Sequence, residues 1–364
     1  MALIQTLQLH HFRNIQQATL HLSPGLNVIV GDNAAGKTSV IEALWVLASG
    51  RSFRTQKPQQ MIGSDQVDMT LFCEVFRLNQ THKLGLKRDA QNLELRLDGK
   101  TLRNQTELAQ YLPIQLLTPE SHRLLEEGPK ARRQFIDWGC FYHHSSFIQA
   151  WRNYQRALKQ RNQSLKRQLP SNQIRLWDQQ LIESALQINE LRSSYVEALT
   201  PYLMTFIQHL MPELSAEIET RFYPGWPANQ PSFEACLSDQ FTRDLQLGHT
   251  QYGCHRADIR FRIQQQEPLV SLSRGQQKLF VCALLLAQAR YLQQQTNDSV
   301  IMLIDDLPAE LDATHRVTLL SLLQKLGIQH LVTTTAADLI PNLDPSTSLH
   351  FEIRHGQISP LEAN

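Results

Sequence analysis

The feature that most constrains this chain is a short glycine-containing segment at residues 31–38, which reads GDNAAGKT. It fits a pattern in which backbone N–H groups surround nucleotide phosphates, the lysine reaches the β and γ oxygens, and the threonine hydroxyl holds Mg²⁺. An apolar strand pattern precedes it at residues 26–30, and apolar side chains at helical spacing follow it to residue 48. The segment is therefore predicted to lead from a strand into a helix N-terminus, where anions are favoured. A glycine-containing turn from strand to helix without a nucleotide role is the alternative interpretation.

All eight residues of this segment are candidate nucleotide ligands, and they predict ATP and Mg²⁺ as cofactors. Lys37 is expected to bind the phosphates and Thr38 to hold the metal ion. Ala34 stands where such loops often carry glycine. The remaining candidates are Gly31, Asp32, Asn33, Ala35 and Gly36.

A second acidic element lies far along the chain, where residues 300–304 form a continuous apolar run followed by Asp305 and Asp306. Such a run is typical of a parallel strand buried on both faces. In the P-loop template an aspartate at a strand end holds Mg²⁺, and Asp305 fits that role. Asp306 is then expected to orient or deprotonate the attacking water. A merely solvated strand end is the alternative.

A third motif, SLSRGQQK at residues 271–278, completes a set that resembles the ATP-binding-cassette (ABC) ATPases and, among them, the RecF family of bacterial DNA-repair proteins. The resemblance runs from the first residues to at least Asp312. Besides the three motifs it rests on LHHFRN (9–14), GRSFR (50–54), QLLTPE (115–120), GPKARRQFIDWGCF (128–141), LKQRN (158–162) and GCHRAD (253–258).

The resemblance implies roles for further residues. Gln115 matches a glutamine that senses Mg²⁺ and the γ-phosphate, and residues 310–312 match a loop that crosses a dimer interface. Ala309 replaces a usual serine there. The signature loop, which would contact the nucleotide of a second subunit, corresponds to Ser273, Arg274, Gly275 and Gln276. The implied catalytic set is Lys37, Asp306, Gln115 and Ser273.

The pattern of strands and helices predicts an α/β fold. The resemblance implies a P-loop ABC-type ATPase head, in which a mixed sheet with flanking helices lies beside an antiparallel β layer. Alternating strands are expected at residues 3–9, 18–22, 69–75 and 93–97. From residue 147, heptad-like apolar spacing predicts an inserted α-helical arm, with Pro201 kinking or ending its second helix. The expected domains are residues 1–140 and 255–364 for the head and 141–254 for the arm.

Composition sets limits on function and location. With 364 residues the chain exceeds the usual size of a single core, and its net charge of +1 gives no general argument for nucleic-acid binding. The five cysteines show no paired or metal-ligand spacing, which indicates reduced thiols. No leader and no apolar run of membrane-spanning length is evident, so a cytoplasmic protein without a membrane partner is expected.

A DNA site must therefore be local. Basic residues cluster on the first arm helix and after Gly128, and they would neutralise phosphates without reading bases. An ordinary solvated face is an equally reasonable interpretation. The candidates are Arg152, Arg156, Lys159, Arg161, Lys166 and Arg167 on the arm, with Lys130, Arg132 and Arg133 near the head.

The RecF resemblance implies a DNA-dependent but weak ATPase of recombinational repair and replication-fork maintenance. ATP would join two heads into a homodimer on single-stranded gaps or junction DNA, and slow hydrolysis would release it. Partners of the RecO and RecR type, assistance to recombinase loading and support of SOS induction are also implied. The alternatives are the power unit of a transporter, whose signature usually lies closer to its P-loop, and a structural ATPase of the SMC type.

Overall fold

The structure is a computed structural model that describes residues 2–214, 218–341 and 345–361. Contacts divide the chain into two compact units. The first, called the head below, comprises Met1–His122, His209–Met211 and Arg274–Asn364. The second, called the helical unit, comprises Arg123–Gln208 and Pro212–Ser273. The helical unit is thus inserted between the two main segments of the head.

The described residues form fourteen β-strands. In chain order they are β1 (Leu3–Phe12), β2 (Ile15–His21), β3 (Leu26–Val30), β4 (Asp68–Arg77), β5 (Gln80–Asp89), β6 (Leu93–Leu97), β7 (Lys100–Thr101), β8 (Ile114–Leu117), β9 (Ile218–Tyr223), β10 (Asp258–Ile263), β11 (Ile301–Ile304), β12 (Gln329–Thr334), β13 (Leu349–Arg354) and β14 (Gln357–Pro360).

The described residues also form thirteen α-helices. In chain order they are α1 (Lys37–Ser49), α2 (Gln105–Ala109), α3 (Arg123–Glu126), α4 (Pro129–His143), α5 (Phe147–Lys166), α6 (Ser171–Arg175), α7 (Asp178–Leu210), α8 (Phe233–Asp239), α9 (Phe241–Leu247), α10 (Pro268–Ser271), α11 (Arg274–Thr296), α12 (Leu307–Glu310) and α13 (Ala313–Lys325).

One sheet of the head is antiparallel, with strand order β2-β1-β4-β5-β6-β7. Strand β4 explains why it forms: its buried residues alternate strictly with half-buried ones, so that Met69, Leu71, Cys73 and Val75 share one face. The expected strands at residues 3–9, 18–22, 69–75 and 93–97 are confirmed as β1, β2, β4 and β6.

The other sheet of the head has the order β14-β13-β3-β12-β11-β8, and all its pairings are parallel except the β13–β14 hairpin. Strand β11 has a parallel neighbour on each side, which explains its uninterrupted apolar sequence. The carboxyl ends of β3, β11 and β12 lie at one edge, the usual position of a ligand crevice in such sheets.

Helix α1 packs on strands of both sheets. Its sequence reflects this position, because side chains around its whole circumference are buried, including Val40, Ile41, Leu44 and Leu47. They join the strands in one apolar core. The predicted head, a mixed sheet with helices beside an antiparallel layer, is confirmed.

The helical unit is built around α5 and α7. Arg161 of α5 bonds Asp178 at the start of α7, 2.7 Å away, and the Arg192 guanidinium of α7 lies 5.4 Å from the centre of the Trp151 ring. Contacts that move backward along α5 therefore move forward along α7, so the two helices are antiparallel. Helix α7 does not end at Pro201, which was one of the two predicted alternatives, but continues through it to Leu210.

The unit boundaries differ from those expected. Residues 123–140 and 255–273 were expected in the head but cluster with the helical unit. The physical reason is local packing: α4 packs against β10, and β10 pairs with β9 in a two-stranded antiparallel sheet. Among the described residues, no helix combines the length and apolar character needed to cross a membrane.

Candidate nucleotide site

The phosphate loop is tight and sterically defined. It connects β3 to α1, and its backbone adopts left-handed angles at Ala34 (φ 66°) and Gly36 (φ 119°). A Cβ atom at Gly31 would lie 2.4 Å from the carbonyl oxygen of Ile353, so a larger residue does not fit there. Ala34 accepts a conformation that glycine adopts more easily, which is strain at a candidate binding site.

Lys37 closes this loop. Its Nζ donates to the carbonyl oxygens of Gly31, at 2.6 Å, and of Asp32, at 2.9 Å. Burial lowers the pKa of Lys37, and the negative charges of Asp306, Asp305 and Asp32 oppose that shift. The ammonium group is thus held against the loop by neutral carbonyls, and an anionic phosphate is a stronger partner for it.

Thr38 and the acidic strand meet directly. The Thr38 hydroxyl donates to Asp305 Oδ1 at 2.9 Å, and the Thr333 hydroxyl at the end of β12 donates to the same oxygen at 2.9 Å. Burial raises the pKa of Asp305, and these two hydrogen bonds act against that effect. A hydroxyl and a carboxylate side by side are hard oxygen donors of the kind that Mg²⁺ prefers, so these residues fit the predicted metal site.

Asp306 lies beside this pair in an unusual backbone conformation. Its φ and ψ are 54° and 57°, in the left-handed region, and its N–H donates to the Thr333 hydroxyl at 2.7 Å. A non-glycine residue is held there only when its surroundings fix it, and such residues concentrate at functional sites. In this strained turn, Asp306 is one of the residues that line a pocket.

These residues line a cavity of about 620 Å³. One wall is the phosphate loop with Lys37 and Thr38, and the second is Asp305, Asp306 and Thr333. A third wall was not predicted, although three of its residues lie in the LHHFRN and GRSFR stretches. It is formed by Arg13, Asn14, Arg54, Gln60, Ile62 and Ser64.

Gln115 lies elsewhere. It sits inside β8, its side chain is buried, and its amide donates to Gln288 Oε1 at 3.1 Å. It is not among the residues that line the cavity. Its position therefore gives no geometric support for the role that the resemblance implied.

The signature residues are displayed on the surface. Ser273 directly precedes α11, and Ser273, Arg274 and Gly275 are exposed. Arg274, Gly275 and Gln276 do not line the cavity of their own head. Apart from its chain neighbours and the backbone of its own helix, no described residue lies within 4 Å of a Cβ built at Gly275, so packing does not require glycine there.

The loop at residues 310–312, which follows Asp305 and Asp306, is partly buried. Glu310, expected near a dimer interface, is buried and accepts from Lys278 Nζ at 3.2 Å, while the Ala309 carbonyl accepts from the same group at 2.9 Å. Burial raises the pKa of Glu310, and the charge of Lys278 opposes this. Asp312 caps α13 by accepting from the His315 N–H at 3.0 Å.

Several candidate DNA contacts prove to be internal. Arg161, which was expected on a basic surface, is fully buried and donates to Asp178, Asp244 and Thr250. Arg132 donates to Asp258, and Arg133 to a backbone carbonyl. Arg161 cannot reach phosphates, because its charge is already matched inside the unit.

All five cysteines are free and buried.

Comparison with known proteins identifies the family. The model of the RecF/RecN/SMC N terminal domain matches residues 3–355. A relative named DNA replication and repair protein RecF, from Hydrogenovibrio crunogenus, is 57% identical over 98% of this chain and 99% of its own length. The protein of the same name from Shewanella oneidensis is 43% identical, with 100% of both chains covered.

Solved structures agree on the fold. The recombination mediator protein RecF with ATP in the RecFOR pathway superposes with a TM-score of 0.88 at 23% identity, covering 99% of this chain and 98% of that one. An Smc head domain from Pyrococcus furiosus gives a TM-score of 0.59 at 16% identity, with 99% and 96% covered. The sequence relatives and the matched model decide membership: the chain belongs to the RecF family of DNA replication and repair proteins.

Proposed function

We propose that this protein is an ATP-dependent DNA-binding ATPase of recombinational repair and replication-fork maintenance, active as a homodimer that ATP assembles. The observation that carries the proposal is the cavity in which Lys37, Thr38, Asp305 and Asp306 converge from two distant motifs. The ends of β3 and β11 bring together a cation, a hydroxyl and two carboxylates, which are the groups that phosphoryl transfer requires.

In this proposal each group has one task. Lys37 exchanges its carbonyl partners for the β and γ oxygens of ATP. Thr38 and Asp305 hold Mg²⁺, which when bound neutralises charge on the phosphate oxygens. Asp306 orients the attacking water and accepts its proton. Arg54 on the third wall, which also lines the cavity, adds a positive charge near the phosphates.

Lys37→Met is expected to weaken Mg·ATP binding by at least about tenfold, because one charge-assisted contact to phosphate contributes about 1.5–3 kcal/mol. Equilibrium binding of a fluorescent ATP analogue measures this. Lys325→Met, a change at an exposed lysine at the end of α13, is the matched control. Parental affinity in the Lys37 variant would contradict the proposed nucleotide site.

The exposed signature loop is the reason for proposing a dimer. A single head supplies the cavity but none of Arg274, Gly275 and Gln276 to it. The open space at Gly275 and the N-terminus of the 23-residue helix α11 suit the close approach of a phosphate held by another subunit. The site would therefore be completed in trans, and slow hydrolysis would open the dimer again.

DNA is proposed to bind the basic stripe, defined as Arg152, Arg156, Lys159 and Lys166 of α5. All four are exposed, and their spacing of four, three and seven residues places them on one helix face. The 20 residues of α5 contain no aspartate or glutamate, and they span about 30 Å. A row of cations of that length suits a phosphate backbone, without reading of base sequence.

Changing Arg156, Lys159 and Lys166 together to Ala is expected to weaken binding of all DNA sequences alike. Each lost phosphate contact should also reduce the slope of log K against log[salt] by about 0.7 to 0.9. A salt titration of gapped DNA in the presence of ATP measures both effects. The control replaces Lys83, Lys87 and Arg96, which are exposed cations of the antiparallel sheet. An unchanged slope in the α5 variant would remove the stripe from the DNA site.

The wider role is part of the same proposal. The relatives are named DNA replication and repair proteins, and one solved structure belongs to the RecFOR pathway. Partners of the RecO and RecR type, assistance to recombinase loading on single-stranded DNA, support of SOS induction and a cytoplasmic location are proposed on that basis. A pull-down with purified partners of these types, with and without ATP, tests the assembly.

A further inference from the structure

The third wall of the nucleotide cavity is organised by a carboxylate that no motif singled out. Glu42 lies on α1, one turn after Thr38, and its side chain is 0% exposed. It sits on a helix surrounded by apolar core. A carboxylate in such surroundings costs several kcal/mol unless cations and hydrogen bonds compensate it. The partners of Glu42 therefore need an explanation.

Those partners come from two separate segments that border the cavity. Arg13, in the turn between β1 and β2, donates its Nε to Glu42 Oε2 at 2.9 Å and its Nη2 to Oε1 at 2.5 Å. The Ser52 hydroxyl donates to Oε1, and Arg54 Nη1 donates to Oε2 at 3.3 Å. One carboxylate thus ties the β1–β2 turn and the segment after α1 to the helix that begins at the phosphate loop.

The two arginines are held very differently. Arg13 makes a two-pronged pair with Glu42, also donates to the carbonyl of Gln60 at 2.5 Å, and is 16% exposed. Arg54 has one long hydrogen bond to Glu42 and is 44% exposed. By charge, Arg13 alone neutralises Glu42, so Arg54 is a surplus cation with respect to that carboxylate. Its charge also opposes the rise in the pKa of Asp305, which lines the same cavity. A bidentate pair is strong, whereas a single exposed contact is weak.

Ser52 fixes where that surplus cation stands. Its hydroxyl donates to Glu42 and accepts from the backbone N–H groups of Arg54, at 2.8 Å, and Thr55, at 3.0 Å. The backbone of Arg54 is therefore positioned through Glu42, while its guanidinium remains available to a competing anion.

We propose that Glu42 is a positioning residue that places Arg54 at the end of the cavity where a terminal phosphate lies, and so sets the preference of the site for triphosphate over diphosphate. This inference rests on the proposed nucleotide site. Glu42 does not touch the nucleotide. It acts by holding Arg13 firmly and Arg54 loosely, so that a terminal phosphate can take Arg54 from it.

Positioning by Glu42 and simple electrostatics predict opposite effects of Glu42→Gln on ATP affinity. Glu42→Gln removes a negative charge near the cavity and, by simple electrostatics, should tighten binding of every phosphate. If Glu42 positions Arg54, the same change should weaken ATP binding by about tenfold or more and ADP binding by less than about threefold. The ratio of the two dissociation constants is the readout, because general damage to the fold would weaken both nucleotides alike.

The test is a double-mutant cycle on the full chain, with ATP and ADP titrated separately in Mg²⁺. Since Glu42 acts through Arg54, the variant that carries both Glu42→Gln and Arg54→Gln should lose no more ATP preference than Arg54→Gln alone. Additive losses, or an unchanged ATP/ADP ratio in Glu42→Gln, would overturn the inference. Arg51→Gln, an exposed arginine of the same segment, should leave the ratio unchanged.

Ser52→Ala provides a second route that leaves the buried charge pair intact. It removes the acceptor for the Arg54 N–H and should lower the ATP/ADP preference in the same direction as Glu42→Gln. A parental ratio in Ser52→Ala would count against positioning through Glu42 even if the Glu42 variant failed to fold. Absence of ATP binding by the parent protein would refute the proposed nucleotide site itself, whereas ATP binding with a ratio that neither variant alters would refute only this inference.

Discussion

Replacing Asp306 by Asn is expected to leave Mg·ATP binding near the parental level while lowering hydrolysis by about 100-fold or more, the usual contribution of a positioned general base. The amide keeps the size of the side chain and its left-handed backbone turn but cannot accept a proton. ATP should then persist in the site and hold two subunits together. Phosphate release at saturating ATP, with sizing of the same sample, measures both results.

The matched control is Asp338→Asn, a change at an exposed carboxylate outside the cavity, which should hydrolyse ATP at the parental rate. Parental hydrolysis by the Asp306 variant would remove this carboxylate from catalysis. Asp305 would then be the remaining candidate for both tasks, metal binding and activation of water.

Ser273→Arg is expected to separate nucleotide binding from assembly. The side chain is exposed and precedes α11, so a larger cation there should not disturb the fold of the monomer. ATP affinity of the monomer should stay within about threefold of the parent. Dimerisation and hydrolysis should fall by about 100-fold, because the arginine would occupy the position of the phosphate that the second subunit binds. Loss of ATP binding would instead mean that the loop acts within its own subunit.

Mixing subunits makes this prediction sharper. A Ser273→Arg subunit keeps its own cavity, and a Lys37→Met subunit keeps its signature loop. If the site is shared, the two inactive proteins should together form dimers with one working site and regain part of the parental ATPase rate. Ser145→Arg, at another exposed serine of the helical unit, should be active without mixing. Mixtures that remain inactive would contradict a site completed in trans.

Apolar patterns in the sequence predicted secondary structure best where both faces of an element are buried. The run at residues 300–304 predicted β11 because a strand with parallel neighbours on both sides needs apolar side chains on both faces. Strand β5 was missed because QTHKLGLKRD is mostly polar; only Leu84 and Leu86 are buried, and its pairing with β4 and β6 holds it. Tertiary pairing there outweighs local pattern.

Charge was the least predictable property. Arg161 belongs to the same run of basic residues as Arg156 and Lys159, yet helical geometry turns it inward to Asp244. Sequence alone cannot show where its acidic partner lies, because that partner is 83 residues away. The third wall of the cavity was hidden for the same reason, since Glu42 meets Arg13 and Arg54 only in the fold.

In the proposed dimer, ATP joins two copies of this chain through the cavity of one and the signature loop of the other. Sedimentation velocity of the purified protein, with Mg·ATP, with Mg·ADP and without nucleotide, tests it most directly, and the Asp306→Asn variant should give the most stable complex. We expect a monomer without nucleotide or with ADP and a dimer with ATP, and Ser273→Arg should abolish this dimer. A sedimentation coefficient that is the same under all three conditions, or an ATP-dependent dimer in the Ser273→Arg variant, would contradict it.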